Sequence, residues 1–295
     1  MPAWWAIFER GGLMLLKIDS TLLRTNLNTR PFTINHRLET HPLFELPRLI
    51  ELACKLPESD VEFSSGNVPI ELDPSQTPRT GLSIEETLRR IDTCGAWMVL
   101  KWVERDREYG ALLNECLDEV MRSSEAVAPG MKRRSGFIFV SSPGSVTPFH
   151  FDQEYNFLMQ IRGQKTVHVF PRSIISEEEV EARFAVSHRN LRFQESFQKT
   201  AATFDLQPGY GLHIPIAAPH WVQNGNGVSV SFSVTFHTPA SERRSALHRV
   251  NSHIRRIGLT PAAVGQSDLR DGAKYLAFQG LRYAARPLKL LARSH

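Results

Sequence analysis

Residues 147–171 read T-P-F-H-F-D-Q-E-Y-N-F-L-M-Q-I-R-G-Q-K-T-V-H-V-F-P, two apolar-rich runs joined through the Gly163-Gln164 pair. In a strand successive side chains alternate faces, so His150 and Asp152 project to one side while Phe149 and Phe151 turn to the other. A neutral nitrogen and an anionic oxygen then share one wall. A third donor from a neighbouring strand completes a face of two histidines and one carboxylate, the arrangement that holds non-haem Fe(II) and leaves the opposite positions open. The supplier is His220, in G-Y-G-L-H-I-P-I-A-A-P-H-W-V-Q-N (209–224), which reads as a strand, a Pro-marked bend and a second short strand. Lys165 follows the Gly163-Gln164 turn and opens the alternating run K-T-V-H-V-F. A lysine entering a strand among apolar neighbours needs an anion to offset its desolvation, or its pKa falls. A dicarboxylate cosubstrate supplies one.

The ordered set T-P-x-H-x-D, N-F-x-x-Q-I-x-G-x-K and I-P-x-x-x-x-H resembles the JmjC-type, cupin-like 2-oxoglutarate and Fe(II) dependent oxygenases. Within them it is most similar to the asparaginyl hydroxylase that modifies hypoxia-inducible factor. The resemblance covers residues 136–238 and implies a double-stranded β-helix. It also implies His150, Asp152 and His220 as iron ligands, Lys165 and Thr147 on the distal carboxylate of 2-oxoglutarate, and Asn156 in the same pocket. Ser233 stands where that hydroxylase has an Asn near the cosubstrate, and no residue matches its upstream tyrosine. The histidines His168, His213 and His237 are read as packed or exposed side chains and not as metal ligands, and Trp221 and Tyr155 as packing.

A chain of 295 residues that is 41% hydrophobic can build one large β-rich domain with helical additions. Cys54, Cys94 and Cys116 are odd in number and lack C-x-x-C spacing, so neither a disulfide framework nor a zinc site is indicated and mostly buried thiols are expected. No apolar run approaches membrane length, and the polar interruptions at Glu9 and Arg10 deny a signal-peptide core. A cytoplasmic enzyme without membrane contact is the expectation. The net charge of +4 is uneven: residues 241–295 hold eleven Lys and Arg against three Asp and Glu, so they carry +8 and the remainder −4. That argues against a nucleic-acid channel through the barrel, although the tail could meet an acidic partner.

The expected organisation is a disordered, dispensable lead-in (1–13), an oxygenase domain (14–240) and a basic helical extension (241–295). Pro47 at a first turn, the S-I-E-E capping box at Ser83 and the periodic 106–123 segment mark three helices of an outer shell. Strands are expected at 96–103, 137–140, 146–151, 155–161, 165–170, 202–206, 212–216, 220–223 and 228–236, with a charged insert at 176–197. The Pro-, Ser- and Gly-rich stretch 57–80 reads as a long loop. In the extension, Leu247, Val250, Ile254 and Ile257, then Leu269, Ala273, Leu276, Ala277, Leu281 and Ala284, follow helical steps, with Pro287 closing the second helix. The resemblance implies homodimerisation through this helical pair; packing on their own barrel is the alternative.

Two function classes follow. One is an oxygenase that uses Fe(II), 2-oxoglutarate and molecular oxygen to hydroxylate a C–H bond of a peptide, protein or small metabolite. The other is a catalytically silent cupin-like binding or regulatory protein that keeps the pocket. A wider-cupin isomerase or dioxygenase fits less well, because those usually carry H-x-H with a Glu and a later His.

Overall fold

In the computed structural model, which describes residues 14–186 and 188–284, short elements at the start of the chain brace a β-sandwich. They are β1 (Leu16–Lys17), α1 (Ser20–Asn26), β2 (Phe32–His36), α2 (Leu46–Lys55), β3 (Val61–Ser65), α3 (Ile84–Arg89), β4 (Ala96–Lys101) and α4 (Arg107–Ser124). Three of these helix starts are capped by a side chain. Asp19 and Asp106 accept from backbone N–H groups of α1 and α4, and Ser83 and Glu86 close a reciprocal capping box on α3. Lead-in residues 1–13 lie outside the described residues.

The barrel strands follow as β5 (Lys132–Ser141), β6 (Val146–His150), β7 (Tyr155–Arg162) and β8 (Lys165–Val169). After α5 (Glu177–Phe184) come β9 (Ala202–Leu206), β10 (Tyr210–Ile214), β11 (His220–Asn224) and β12 (Ser229–His237), then α6 (Pro239–Arg256) and α7 (Asp268–Ala284). An eight-stranded sheet of order β1-β2-β10-β7-β12-β5-β4-β3 faces a four-stranded sheet of order β6-β11-β8-β9, every pairing antiparallel. This is the expected double-stranded β-helix with N-terminal α/β additions and C-terminal helices.

Both faces of the central strands are covered, which is why β7 and β12 are buried along almost their whole length. Their outward face, Phe157, Met159, Phe232, Val234 and Phe236, packs under Leu49, Leu52, Tyr109 and Leu117 of α2 and α4. The inward face lines the space between the sheets with Leu158, Val167, Val169, Leu212, Ile214 and Val222. A third cluster, Phe149, Phe151, Phe170 and Trp221 under Phe184, Phe193 and Phe197, fastens the 177–200 insert to the outside of the small sheet. Gly163 turns β7 into β8 at φ +70°, and a Cβ there would stand 2.3 Å from the Val228 carbonyl oxygen, so neither the backbone nor the space admits another residue.

Several sequence expectations change. Val61–Ser65 inside the expected 57–80 loop is a strand, because Val61 and Phe63 alternate inward as the edge partner of β4. Strand β4 stops at Lys101, where Trp102 adopts a left-handed conformation (φ 53°). Cys54 is exposed while Cys116 is buried, so the thiols are not uniformly core residues. On α6 the buried face is Ala246, Leu247, His248, Asn251 and Ser252, whereas Ile257 of the expected stripe is exposed. Leu269, Leu276 and Leu281 of α7 are likewise exposed, so that stripe does not pack on the protein's own barrel. Pro287 lies outside the described residues.

Candidate metal centre and cosubstrate pocket

His150 is the last residue of β6 and His220 the first of β11, and the two are direct partners across the ladder. Their ring centroids are 4.2 Å apart. The bend that delivers His220 is fixed by Ala217 at φ 57°, whose N–H donates to the Asp152 carbonyl at 2.8 Å. The Asp152 carboxylate oxygen Oδ2 lies 3.7 Å from His220 Nε2, and one donor atom from each of His150, Asp152 and His220 falls within 4.8 Å of the others. Both imidazoles have their tautomer set by the backbone. His150 Nδ1 faces the Pro148 carbonyl at 2.7 Å and His220 Nδ1 faces the Ala218 carbonyl at 3.0 Å. With Nδ1–H donated to a carbonyl, each ring keeps a bare Nε2 lone pair, the state a metal requires.

The electrostatics support that state. Burial pushes His150 down to about 4, with the His220 charge acting in the same direction, so the ring is neutral at physiological pH. Burial acts to raise the Asp152 carboxyl, but the nearby His150, His220 and Arg189 together with the Asn156 hydrogen bond outweigh it and hold the group well below the ordinary carboxylate range. Two imidazole nitrogens and one anionic oxygen converge, a donor set that fits Fe(II).

Lys165 enters the space between the sheets. It pairs with Asn224 as His220 pairs with Val169, so Lys165, Val167, Val169, His220, Val222 and Asn224 share the inward face. Four residues of strand separate Lys165 from Val169, about 13 Å, room for an extended five-carbon dicarboxylate between the ammonium and the triad. Burial pushes the Lys165 ammonium down to about 7, and no charge offsets it. The Oδ1 of Asn224 is buried without a hydrogen-bond partner. An unpaired buried cation on that wall fits a bound carboxylate.

Thr147 stands three residues from His150, an odd step that strict alternation would send to the opposite face. A register shift corrects this: Val222 pairs with Thr147 while His220 pairs with His150, so three steps on β6 match two on β11. The Thr147 hydroxyl accepts from Trp97 Nε1 at 3.0 Å. Asn156 Nδ2 donates to Asp152 Oδ2 at 3.1 Å, and the Ser233 hydroxyl donates to Asn156 Oδ1 at 2.7 Å. Asn156 and Ser233 thus form a relay onto the triad carboxylate. Tyr155 stacks on Phe236, and Trp221 stacks on His168 outside the barrel, as packing residues do. His213 is buried and fully engaged, with Nε2 accepting the Asn28 N–H and Nδ1 on the Asn156 carbonyl.

Sequence reasoning missed three participants. Trp97 reaches Thr147 from β4, in the other sheet. Asn224 is legible only once β11 is placed in register with β8. Arg189, from the insert, donates to Asp152 Oδ1 at 3.0 Å and spans Glu154 with two bonds of 2.8 Å. The one signal for it was a charged insert sitting between halves of an otherwise mildly acidic barrel.

Comparison with known proteins agrees. Residues 112–243 match the JmjC domain family model. Among solved structures, the X-ray structure of E. coli ycfD superposes with a TM-score of 0.50 at 18% identity, covering 90% of this chain and 67% of that one. A structure of YcfD, called a ribosomal oxygenase from Escherichia coli, in complex with cobalt and 2-oxoglutarate gives 0.48 at 17% identity, covering 88% and 64%. The chain spans about two thirds of the length of those proteins. A comparison with curated protein sequences gives no match. The chain therefore has a cupin fold that matches the JmjC domain model over residues 112–243, and His150, Asp152 and His220 stand together within metal-ligating distance. Among the described residues no helix is long and apolar enough to cross a membrane.

Proposed function

We propose that this protein is an Fe(II)- and 2-oxoglutarate-dependent oxygenase that hydroxylates a C–H bond of a peptide, protein or small-molecule substrate. The observation that carries the reading is the pairing of two tautomer-fixed imidazoles and a carboxylate with a buried, unneutralised lysine on the same inward wall. When bound, iron and the cosubstrate supply oxidation of the substrate by O2, with 2-oxoglutarate split to succinate and CO2.

The chain's own part is placement. His150, Asp152 and His220 would hold the iron. Lys165 offsets the distal carboxylate, with Thr147 and Asn224 beside it on that wall. Asn156, steadied by Ser233, keeps the Asp152 oxygen turned to the imidazoles. Leu158, Val167, Leu212 and Val222 exclude water between the sheets. The intact triad favours this over a silent binding protein, which has no need of two imidazoles oriented with Nε2 toward one carboxylate.

The narrower likeness to the asparaginyl hydroxylase rests on the shared motifs, and Ser233 departs from it. The E. coli protein is called a ribosomal oxygenase; for this chain the substrate class proposed stays with peptide, protein or metabolite. Free thiols and a ferrous site both suit a reducing compartment, so the cytoplasm is the proposed location. Homodimerisation through the extension is also proposed, because Leu269, Leu276 and Leu281 leave an apolar stripe exposed on α7. Sedimentation of the full chain against one ending at residue 240 tests this, and a monomer in both cases contradicts it.

Anaerobic titration of 2-oxoglutarate into the Fe(II)-loaded chain tests the main reading. Saturable binding that requires both the metal and Lys165 is expected. Binding that is indifferent to metal would shift the protein to the silent class.

A further inference from the structure

The two oxygens of Asp152 are held by different partners. Oδ2 faces His220 Nε2 and accepts from Asn156, whereas Oδ1 accepts from Arg189 Nη1 at 3.0 Å. The guanidinium is not held by Asp152 alone. It grips Glu154 with both Nη atoms, at 2.8 Å each, a two-point geometry that fixes the plane of the fork before it meets Asp152. Glu154 also balances its charge, so the arginine adds little net repulsion toward a cation at the triad.

The segment that delivers Arg189 is fastened to the triad strand. Asn190 forms a β-bridge with His150, and Leu191 N–H donates to the Phe149 carbonyl at 2.8 Å. On its far side Asn190 Nδ2 reaches the Leu72 carbonyl at 2.9 Å and Phe193 N–H reaches Glu71 at 3.0 Å. Phe193 packs its ring edge-on to Phe149, 5.3 Å between centroids. Residues 189–193 thus lie as a strap between β6 and the 70–72 loop, and the position of Arg189 is set by the same strand that sets His150.

A carboxylate free to rotate can give a metal either one oxygen or two, and a second oxygen would take a position the cosubstrate needs. We propose that Arg189 is a positioning residue that restricts Asp152 to donation through Oδ2 and thereby keeps a position open for 2-oxoglutarate. This rests on the oxygenase reading and concerns a residue outside the three-donor set.

The test uses the full chain loaded with Co(II) as a spectroscopic probe, titrated anaerobically with 2-oxoglutarate, for wild type, Arg189→Met, Arg189→Lys and Arg255→Met. The last loosens the insert at α5, where Arg255 holds Glu181, without touching Asp152. Arg189→Met should still take up Co(II), but with a changed visible spectrum and an affinity for 2-oxoglutarate lower by about tenfold or more. Arg189→Lys, which keeps the charge and loses the fork, should fall between, and Arg255→Met should match wild type in both readouts. An Arg189→Met protein with the wild-type spectrum and affinity overturns the proposal. So does an Arg255→Met protein that reproduces the defect, since insert packing would then be the cause. Failure of the wild-type chain to bind 2-oxoglutarate would instead overturn the oxygenase reading itself.

Discussion

Among the described residues two places gather histidine and carboxylate donors within metal-ligating distance: His150, Asp152 and His220 inside the barrel, and Glu177, Glu181 and His248 where α5 meets α6. Residue types alone would rank them together. Their hydrogen bonds separate them. In the barrel both imidazoles spend Nδ1 on a backbone carbonyl and present a bare Nε2 to one point. At the helix junction Glu181 is already neutralised, with Oε2 on Arg255 at 2.5 Å and Oε1 on Asn251 at 2.7 Å, and Glu177 is exposed. His248 stacks on Phe184, and its Nδ1 has no partner to set a tautomer. In the barrel Arg189 takes only Oδ1 of Asp152, whereas at the helix junction both Glu181 oxygens are spent. Oriented, unspent lone pairs define a metal site better than proximity does.

The largest effect that can break this contrast is loss of metal. His150→Ala and Asp152→Ala should each abolish Fe(II) uptake by elemental analysis while the fold survives, because two protein donors hold a labile divalent ion poorly. Glu181→Gln should leave the metal content unchanged. Iron retained in the first two variants, or lost in the third, would reverse the assignment.

Next in size is Lys165→Ala. Removing one partner of a buried charge pair costs about 2–5 kcal/mol, so the 2-oxoglutarate requirement should rise by roughly thirtyfold or more while iron uptake persists. An unchanged titration would move the carboxylate site elsewhere.

A third test concerns acid stability. Burial first, then the Arg244 charge, pushes His248 down to about 4, below its unfolded value of 6.5. The folded state therefore binds fewer protons than the unfolded chain between those values. Its contribution is present in full above pH 6.5 and declines as pH falls, by at most about 3 kcal/mol in all. His248→Met should flatten that limb in denaturation of the metal-free chain measured from pH 7 to 4; an unaltered slope would show that the ring is charged in the fold. The smallest effect expected is the stability cost of Glu181→Gln, about 2 kcal/mol for a lost charge-assisted bond, seen as a lowered Tm.

How far the sequence disclosed all this depended on distance along the chain. The His150 and Asp152 pair, the Gly163-turn lysine and the capped helices are local patterns, set by strand alternation and helix-end chemistry, and the structure keeps them. The long-range partners were hidden. Arg189 meets Asp152 across 37 residues and Trp97 meets Thr147 across 50, and no periodicity encodes either. Strand β3 escaped because V-E-F-S-S is short and sits among turn-forming residues, so only its neighbour β4 makes it a strand. Thr147 was placed in the pocket by resemblance; alternation alone would have excluded it, and the register shift opposite Val222 is a tertiary fact. On α6, polar contacts to α5 and the 262 region outweigh the apolar stripe and rotate the buried face toward His248 and Asn251.

The central claim is that the barrel cluster and Lys165 together run oxygenase chemistry rather than merely bind an acid. Succinate formed from 2-oxoglutarate by the Fe(II)-loaded full chain, with no other substrate added, measures this directly. Slow succinate production that requires O2, and that disappears in Asp152→Ala, is the predicted result. Tight 2-oxoglutarate binding to the wild type with no O2-dependent succinate would contradict it and leave a binding protein on a cupin fold.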